Sequence, residues 1–139
     1  MRIMRLDEGV AVAGQPNEVE IGEIARQGFK MLVINRPDGE DFGQPGHERT
    51  TELARAAGLD VRFIPVTGPT LTAEKVQEFA RALAEARGPV LAHCRSGTRS
   101  AVLWAAAVGD GDAAKTQQAI AKAAAQGVDA SAALRFVRG

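Results

Sequence analysis

Eight consecutive residues, His93-Cys94-Arg95-Ser96-Gly97-Thr98-Arg99-Ser100, gather the only cysteine of the chain with two arginines, two serines and a glycine. An apolar run, Val90-Leu91-Ala92, precedes them and another, Ala101 to Val108, follows. A strand that breaks at a thiol and re-enters a helix places that thiol at a helix N-terminus, where a thiolate is most stable. A free thiol has a pKa of about 8.5, and lowering it by about two units needs about 2.7 kcal/mol of preference for the anion. The helix dipole supplies roughly 0.3 to 2 kcal/mol. The rest must come from the backbone N–H groups of residues 95–99, curled into an anion nest, and from Arg99 as a fixed cation.

Such a loop suits nucleophilic attack on a small tetrahedral or sulfur-centred anion. Cys94, Arg99 and Ser100 are the candidate catalytic residues, Ser100 as a hydroxyl that can hydrogen-bond the thiolate or a leaving group. Arg95, Ser96, Gly97 and Thr98 are candidate substrate contacts, with Gly97 letting the loop turn sharply and letting backbone approach a ligand. A free cysteine is often only a small buried apolar residue, but one packed among these partners argues for chemistry. Arg36, at the end of the second strand, is a candidate second anion contact. Asp38, Glu40 and Asp41 beside it are candidate general acids, against the plainer reading of a polar turn. His93 is expected to point to the opposite face of its strand as a structural, hydrogen-bonded histidine. His47 has no partner at metal-ligand spacing, so no metal and no cofactor are expected. Trp104, one turn past Ser100, reads as core.

The elements that must hold this loop alternate. Val10–Ala13 reads as a first strand, left through Gly14-Gln15-Pro16. Asn17 with Glu20 can cap a helix whose stripe is Ile21, Ile24 and Ala25 and which stops at Gly28. Met31–Ile34 is apolar on both faces, as a buried parallel strand should be. A second helix, about His47 to Ala57, stops at Gly58, and a third strand, Val61–Ile64, stops at Pro65. Thr72 can cap a third helix with Val76, Phe79, Ala80 and Leu83 at helical spacing, ended by Gly88-Pro89 before the fourth strand. Ser100 to Val108 is apolar all round and predicts a core helix; Asp112 can cap an Ala-rich helix to Gln126, and a short helix follows from Ser131. The pattern predicts one α/β domain over residues 1–139, a three-layer sandwich with a mostly parallel sheet of about four strands flanked by helices. In such sheets ligands sit at strand C-terminal ends, where Cys94 lies.

Lys plus Arg equals Asp plus Glu at 17 each, so no basic field draws in nucleic acid or a membrane surface, and any anion site is local. The longest apolar run is far below the roughly 20 residues of a membrane span. With no apolar leader-like stretch near Met1 and a single cysteine, which cannot close an intramolecular disulfide, a cytoplasmic protein is expected.

Beyond the cysteine loop, which resembles the active-site loop of cysteine-dependent phosphatases and rhodanese-type sulfurtransferases, other stretches point to one family. Gly14-Gln15-Pro16, the run from Val33 to Glu40, and Gly88-Pro89 resemble the phosphatase-like domain of bacterial beta-lactamase-hydrolase-like proteins. That resemblance covers nearly the whole chain and implies a cysteine-phosphatase-like fold; some members are described as sulfurtransferases, and in fusions the domain accompanies a metallo-hydrolase module. Two departures bear on the chemistry. Only Arg95, Ser96, Gly97 and Thr98 separate Cys94 from Arg99, whereas the phosphatases place five residues there and rhodanese loops resemble the shorter form. Pro65-Val66-Thr67-Gly68-Pro69, where related phosphatases commonly carry an acid, has no carboxylate. Sulfite leaves thiosulfate as a stable anion and needs no acid.

The expected activity is therefore a sulfurtransferase working through a Cys94 persulfide, on a small anionic substrate such as thiosulfate or a persulfide. A phosphatase that hydrolyses a phosphoester through a phosphocysteine is the alternative, and a non-catalytic anion-binding module the third.

Overall fold

A computed structural model describes residues 1–138. In chain order the strands are β1 Met4–Arg5, β2 Val10–Ala13, β3 Met31–Ile34, β4 Asp60–Phe63 and β5 Val90–His93. The helices are α1 Glu18–Arg26, α2 His47–Ala56, α3 Ala73–Glu85, α4 Thr98–Gly109 and α5 Ala113–Ala125, with a 3-10 helix at Ser131–Phe136. Among the described residues the sheet has five strands in the order β1-β2-β5-β3-β4, all parallel except β1. The expected count was four. The strand missed is β1, a two-residue antiparallel edge that pairs Met4 with Val12 and Arg5 with Ala11; so short a segment with one exposed arginine leaves no periodic signal.

The expected helix caps form. Asn17 accepts from the Glu20 N–H at 2.8 Å while Glu20 accepts from the Asn17 N–H at 2.9 Å. Thr72 accepts from Lys75 N–H and Asp112 from Lys115 N–H. Each such cap satisfies N–H groups that the helix itself cannot, which is worth about 1 kcal/mol.

Two apolar layers sandwich the sheet, because alternate strand residues face opposite ways. Val12, Met31, Val33, Val90 and Ala92 pack with Val76 and Phe79 of α3 and with Ala101 to Ala106 of α4. Ala11, Ala13, Leu32, Ile34 and Leu91 pack on the other side with Ile21 and Ile24 of α1 and Ala54 of α2. α4 is buried from Ser100 to Ala106. Trp104 is 1% exposed and its indole N–H donates to Asp7 Oδ2 at 3.2 Å, so it is core, as expected. β5 runs between β2 and β3, with His93 paired to Ala13 on one side and Ile34 on the other. Cys94 therefore emerges from the centre of the sheet onto a helix that cannot shift. None of the helices is long and apolar enough to cross a membrane.

Candidate active site

Cys94 is the first residue past β5 and is 1% exposed. Its thiol accepts the N–H of Gly97, the residue just before α4, at 3.0 Å; of the five N–H groups at residues 95–99 expected to form a nest, this is the one bonded to the sulfur among the described residues. Gly97 has φ +98°, in the left-handed region, and a Cβ there would also fall 2.8 Å from Met4 Cε of β1. Gly14 lies under the same loop: a Cβ would meet the Arg95 carbonyl oxygen at 2.9 Å, backbone that cannot yield. The close approach of the β2 exit to the cysteine loop thus accounts for glycine in Gly14-Gln15-Pro16. Ser96 and Thr98 share a hydroxyl contact at 3.2 Å on the exposed side of the loop.

Arg99 lies on the first turn of α4 and is held by three hydrogen bonds. One terminal nitrogen donates to Glu40 Oε2 at 2.7 Å and to the Val66 carbonyl at 2.6 Å; the other donates to Glu40 Oε1 at 2.8 Å. A guanidinium has five N–H donors. Among the described residues the partners of Arg99 take the end-on pair and one outer N–H, which leaves Nε–H and its neighbouring terminal N–H as a side-on fork. Glu40, with the nearby Cys94 adding to it, raises the Arg99 pKa above its ordinary value against the opposing effect of burial.

The three candidate acids, Asp38, Glu40 and Asp41, are all engaged by neighbouring side chains. Glu40 is held below the ordinary carboxylate range by its hydrogen bonds to Arg99, which with those to Arg36 outweigh burial. Asp38 is lowered by the side chain and the N–H of His47, at 2.7 and 2.8 Å, where it serves as the missing cap of α2. Asp41 bridges Arg36 at 2.6 Å and Arg95 at 3.1 Å. Arg36 is likewise engaged. It is 5% exposed, and its donors go to Glu40, Asp41 and Gln15.

Ser100 is engaged as well. Its hydroxyl donates to Asn35 Oδ1 at 2.8 Å, so in this arrangement its proton is not offered to the thiolate. Asn35 in turn donates to the Ile64 carbonyl at 2.9 Å, tying the ends of β3 and β4 to α4. Asn35 was not singled out from sequence; an asparagine directly after a wholly apolar strand was the available signal, since a buried polar group needs partners. Nor was Val66 foreseen, because a backbone carbonyl has no sequence signature. The segment Pro65–Pro69, where an acid was sought, supplies that carbonyl, and its Thr67 and Thr70 bond each other.

His93 is 1% exposed, and burial pushes its pKa down to about 4. The hydrogen bonding expected of it is thin: Nδ1 lies 3.4 Å from the Cys94 carbonyl oxygen, and Nε2 is the only buried side-chain nitrogen or oxygen without a partner among the described residues. His47 stacks on Phe63 with ring centroids 3.8 Å apart.

A family model for the phosphatase-like domain of beta-lactamase hydrolase-like proteins matches residues 2–113. The chain belongs to this family. It is 45% identical over 104 residues to the beta-lactamase hydrolase-like protein of Agrobacterium fabrum, an alignment that covers 75% of this chain and 24% of that protein. The chain thus spans about a quarter of the length of that relative. Among solved structures, a candidate phosphatase from Neisseria meningitidis superposes with a TM-score of 0.84 at 31% identity, covering 98% of this chain and 96% of its own. PTPMT1 in complex with PI(5)P superposes at 0.75 and 15% identity, covering 96% of this chain and 93% of its own, a likeness of fold. The fold of this family member is cysteine-phosphatase-like, with the nucleophile loop at the centre of the sheet. Of these likenesses, the family's phosphatase-like domain and the Neisseria structure carry a phosphatase name.

Proposed function

We propose that the chain is a cysteine-nucleophile phosphatase that cleaves a small anionic phosphoester by double displacement at Cys94. The observation that carries it is the side-on fork of Arg99, held next to a thiol that already accepts the Gly97 N–H. Two parallel N–H groups match two oxygens of a tetrahedral oxyanion and are worth more as the anion gains charge. The family and the Neisseria structure support the same reading.

In the first step the Cys94 thiolate attacks phosphorus, the S–P bond forms, and the P–O bond to the leaving group breaks with its electron pair going to oxygen. In the second, water attacks phosphorus, the S–P bond breaks, and the thiolate returns. One water is consumed, one proton reaching the leaving oxygen through solvent. With Asp38 hydrogen-bonded to His47 and with Glu40 and Asp41 ion-paired to arginines, none of the three is free to protonate that oxygen, so the fitting substrates are those whose leaving group departs as a stable anion, such as aryl or acyl phosphates.

Sulfur transfer is the second reading, favoured by the same engaged carboxylates together with the four-residue gap between Cys94 and Arg99. There the thiolate attacks the sulfane sulfur of thiosulfate, an S–S bond forms and sulfite leaves; an acceptor thiolate then takes the outer sulfur and releases Cys94. One experiment separates them. The protein is given an aryl phosphate and thiosulfate in parallel, with acid-quenched mass spectrometry of the Cys94 peptide. Phosphate release with a phosphocysteine, absent in Cys94→Ser, is expected. A one-sulfur adduct without phosphate release would install the second reading, and no adduct from either donor would overturn both.

A further inference from the structure

Resting on displacement at Cys94, we propose that Phe42 binds the organic body of the substrate, so that the natural donor carries an aromatic or similarly planar apolar group beyond the transferred anion. Phe42 is fully exposed, the most exposed large hydrophobic side chain among the described residues. The backbone that presents it is nevertheless braced. Gln44 accepts the N–H groups of Glu40 and Asp41 at 3.0 and 3.1 Å and donates to the Pro37 carbonyl at 2.8 Å. Gly39 and Gly43 take φ +76° and +80° on either side, conformations that glycine adopts without strain.

The two side chains before Phe42 tie this turn to the nucleophile loop. Glu40 grips Arg99, and Asp41 bridges Arg36 and the exposed Arg95, the residue after Cys94. The backbone of Phe42 is thereby tied beside the cysteine loop by neighbours that are all engaged. Covering a phenylalanine is worth roughly 1.5 to 3 kcal/mol, and folding has left that unused at a place where the chain is otherwise fully bonded. On a braced backbone, a phenylalanine has only two side-chain torsions to fix when it captures a ligand. At the same end of the sheet the His47–Phe63 stack keeps Phe63 partly exposed and adds apolar surface to that side. The occupant that fits is the part of the donor projecting from the nest past Arg95, and an aryl group is also the leaving group that needs no acid.

The test compares donors in pairs: 1-naphthyl phosphate against acetyl phosphate, and benzenethiosulfonate against thiosulfate. For whichever pair turns over, Phe42→Ala is expected to lower the ratio of kcat/KM for the aromatic over the bare donor about fivefold, through KM. Phe42→Tyr should restore the ratio, and Val19→Ala, an exposed residue of α1, should leave it as in the wild type. Calorimetric binding of phenylphosphonate against methylphosphonate to Cys94→Ser protein reads the same preference without chemistry. A preference unaffected by Phe42→Ala in both measurements would overturn the inference. A Phe42-dependent preference in binding with no turnover of any donor would instead overturn displacement at Cys94 and keep the aromatic contact.

Discussion

The loop after β5 and the loop after β3 both rise from the C-terminal edge of the parallel strands and meet at Arg99, yet they hold their charges by different means. In the cysteine loop, position comes from backbone: the left-handed Gly97, its N–H on the sulfur, and the approach of Gly14 to the Arg95 carbonyl. In the acidic loop, position comes from long side chains, with Glu40 and Asp41 spread over three arginines and Gln44 bracing the turn from within. Backbone N–H groups do not titrate and keep their dipoles at every pH. Carboxylate–arginine pairs depend on ionisation and, where exposed, are weakened by salt. The comparison teaches that the anion nest is permanent, while the setting of its cation is conditional.

The sharpest way to break that comparison is Arg99→Lys. An ammonium keeps the charge but loses the fork, so kcat/KM should fall by roughly 10² to 10³ with the fold intact by circular dichroism. A loss under tenfold would mean that charge, rather than bidentate geometry, is what the nest needs.

His93 offers the next largest effect, on stability. Its folded pKa of about 4 lies below the ordinary 6.5, so the unfolded chain binds the extra proton first. Stability is therefore full above pH 6.5 and is lost as pH falls toward 4, by up to about 3 kcal/mol. Urea titrations at pH 7 and pH 4.5 should show this fall in the wild type, and a smaller one in His93→Gln. Equal falls in the two proteins would place the titrating group elsewhere.

Ser100→Ala leaves the buried Asn35 oxygen without its donor and should cost about 1 to 3 kcal/mol of stability while turnover drops only a few-fold. A hundredfold loss of kcat at unchanged stability would return the hydroxyl to the thiolate.

Glu40→Gln gives the smallest change, about fivefold in kcat/KM, or near 1 kcal/mol, because the amide still accepts one hydrogen bond from Arg99. Its pH behaviour is the finer readout. A carboxylate with a lowered folded pKa contributes stability that is present above its ordinary 4.5 and is lost as pH falls through the folded value. Wild-type protein should lose that contribution in acid and Glu40→Gln should have none to lose. Parallel acid denaturation profiles would show that the acidic loop does not carry the coupling.

Much of the architecture was legible because it rests on local rules. Asn17 with Glu20, Thr72 and Asp112 announced helix starts, and Met31–Ile34 announced a strand buried on both faces. β1 was illegible because two residues carry no period, although Met4 proves to be the side chain beneath Gly97. Within the site, the thiol, the nest and Arg99 were readable as a contiguous run. The partners of Ser100, Arg36 and the three carboxylates were not, since each can reach several groups and only the folded spacing selects one.

The sequence by itself determined where the thiol proposed as nucleophile stands, because a single cysteine between an apolar strand and an apolar helix has one place to go, and helix-start physics acts on neighbours in the chain. Tertiary structure decided how that thiol is surrounded. Whether Glu40 is an acid or a brace, and whether Arg99 faces a substrate with one edge or none, depends on residues 59 positions apart being brought within 2.7 Å. Ion pairs and hydrogen bonds are set by distance in space, and no local pattern of residues encodes that distance.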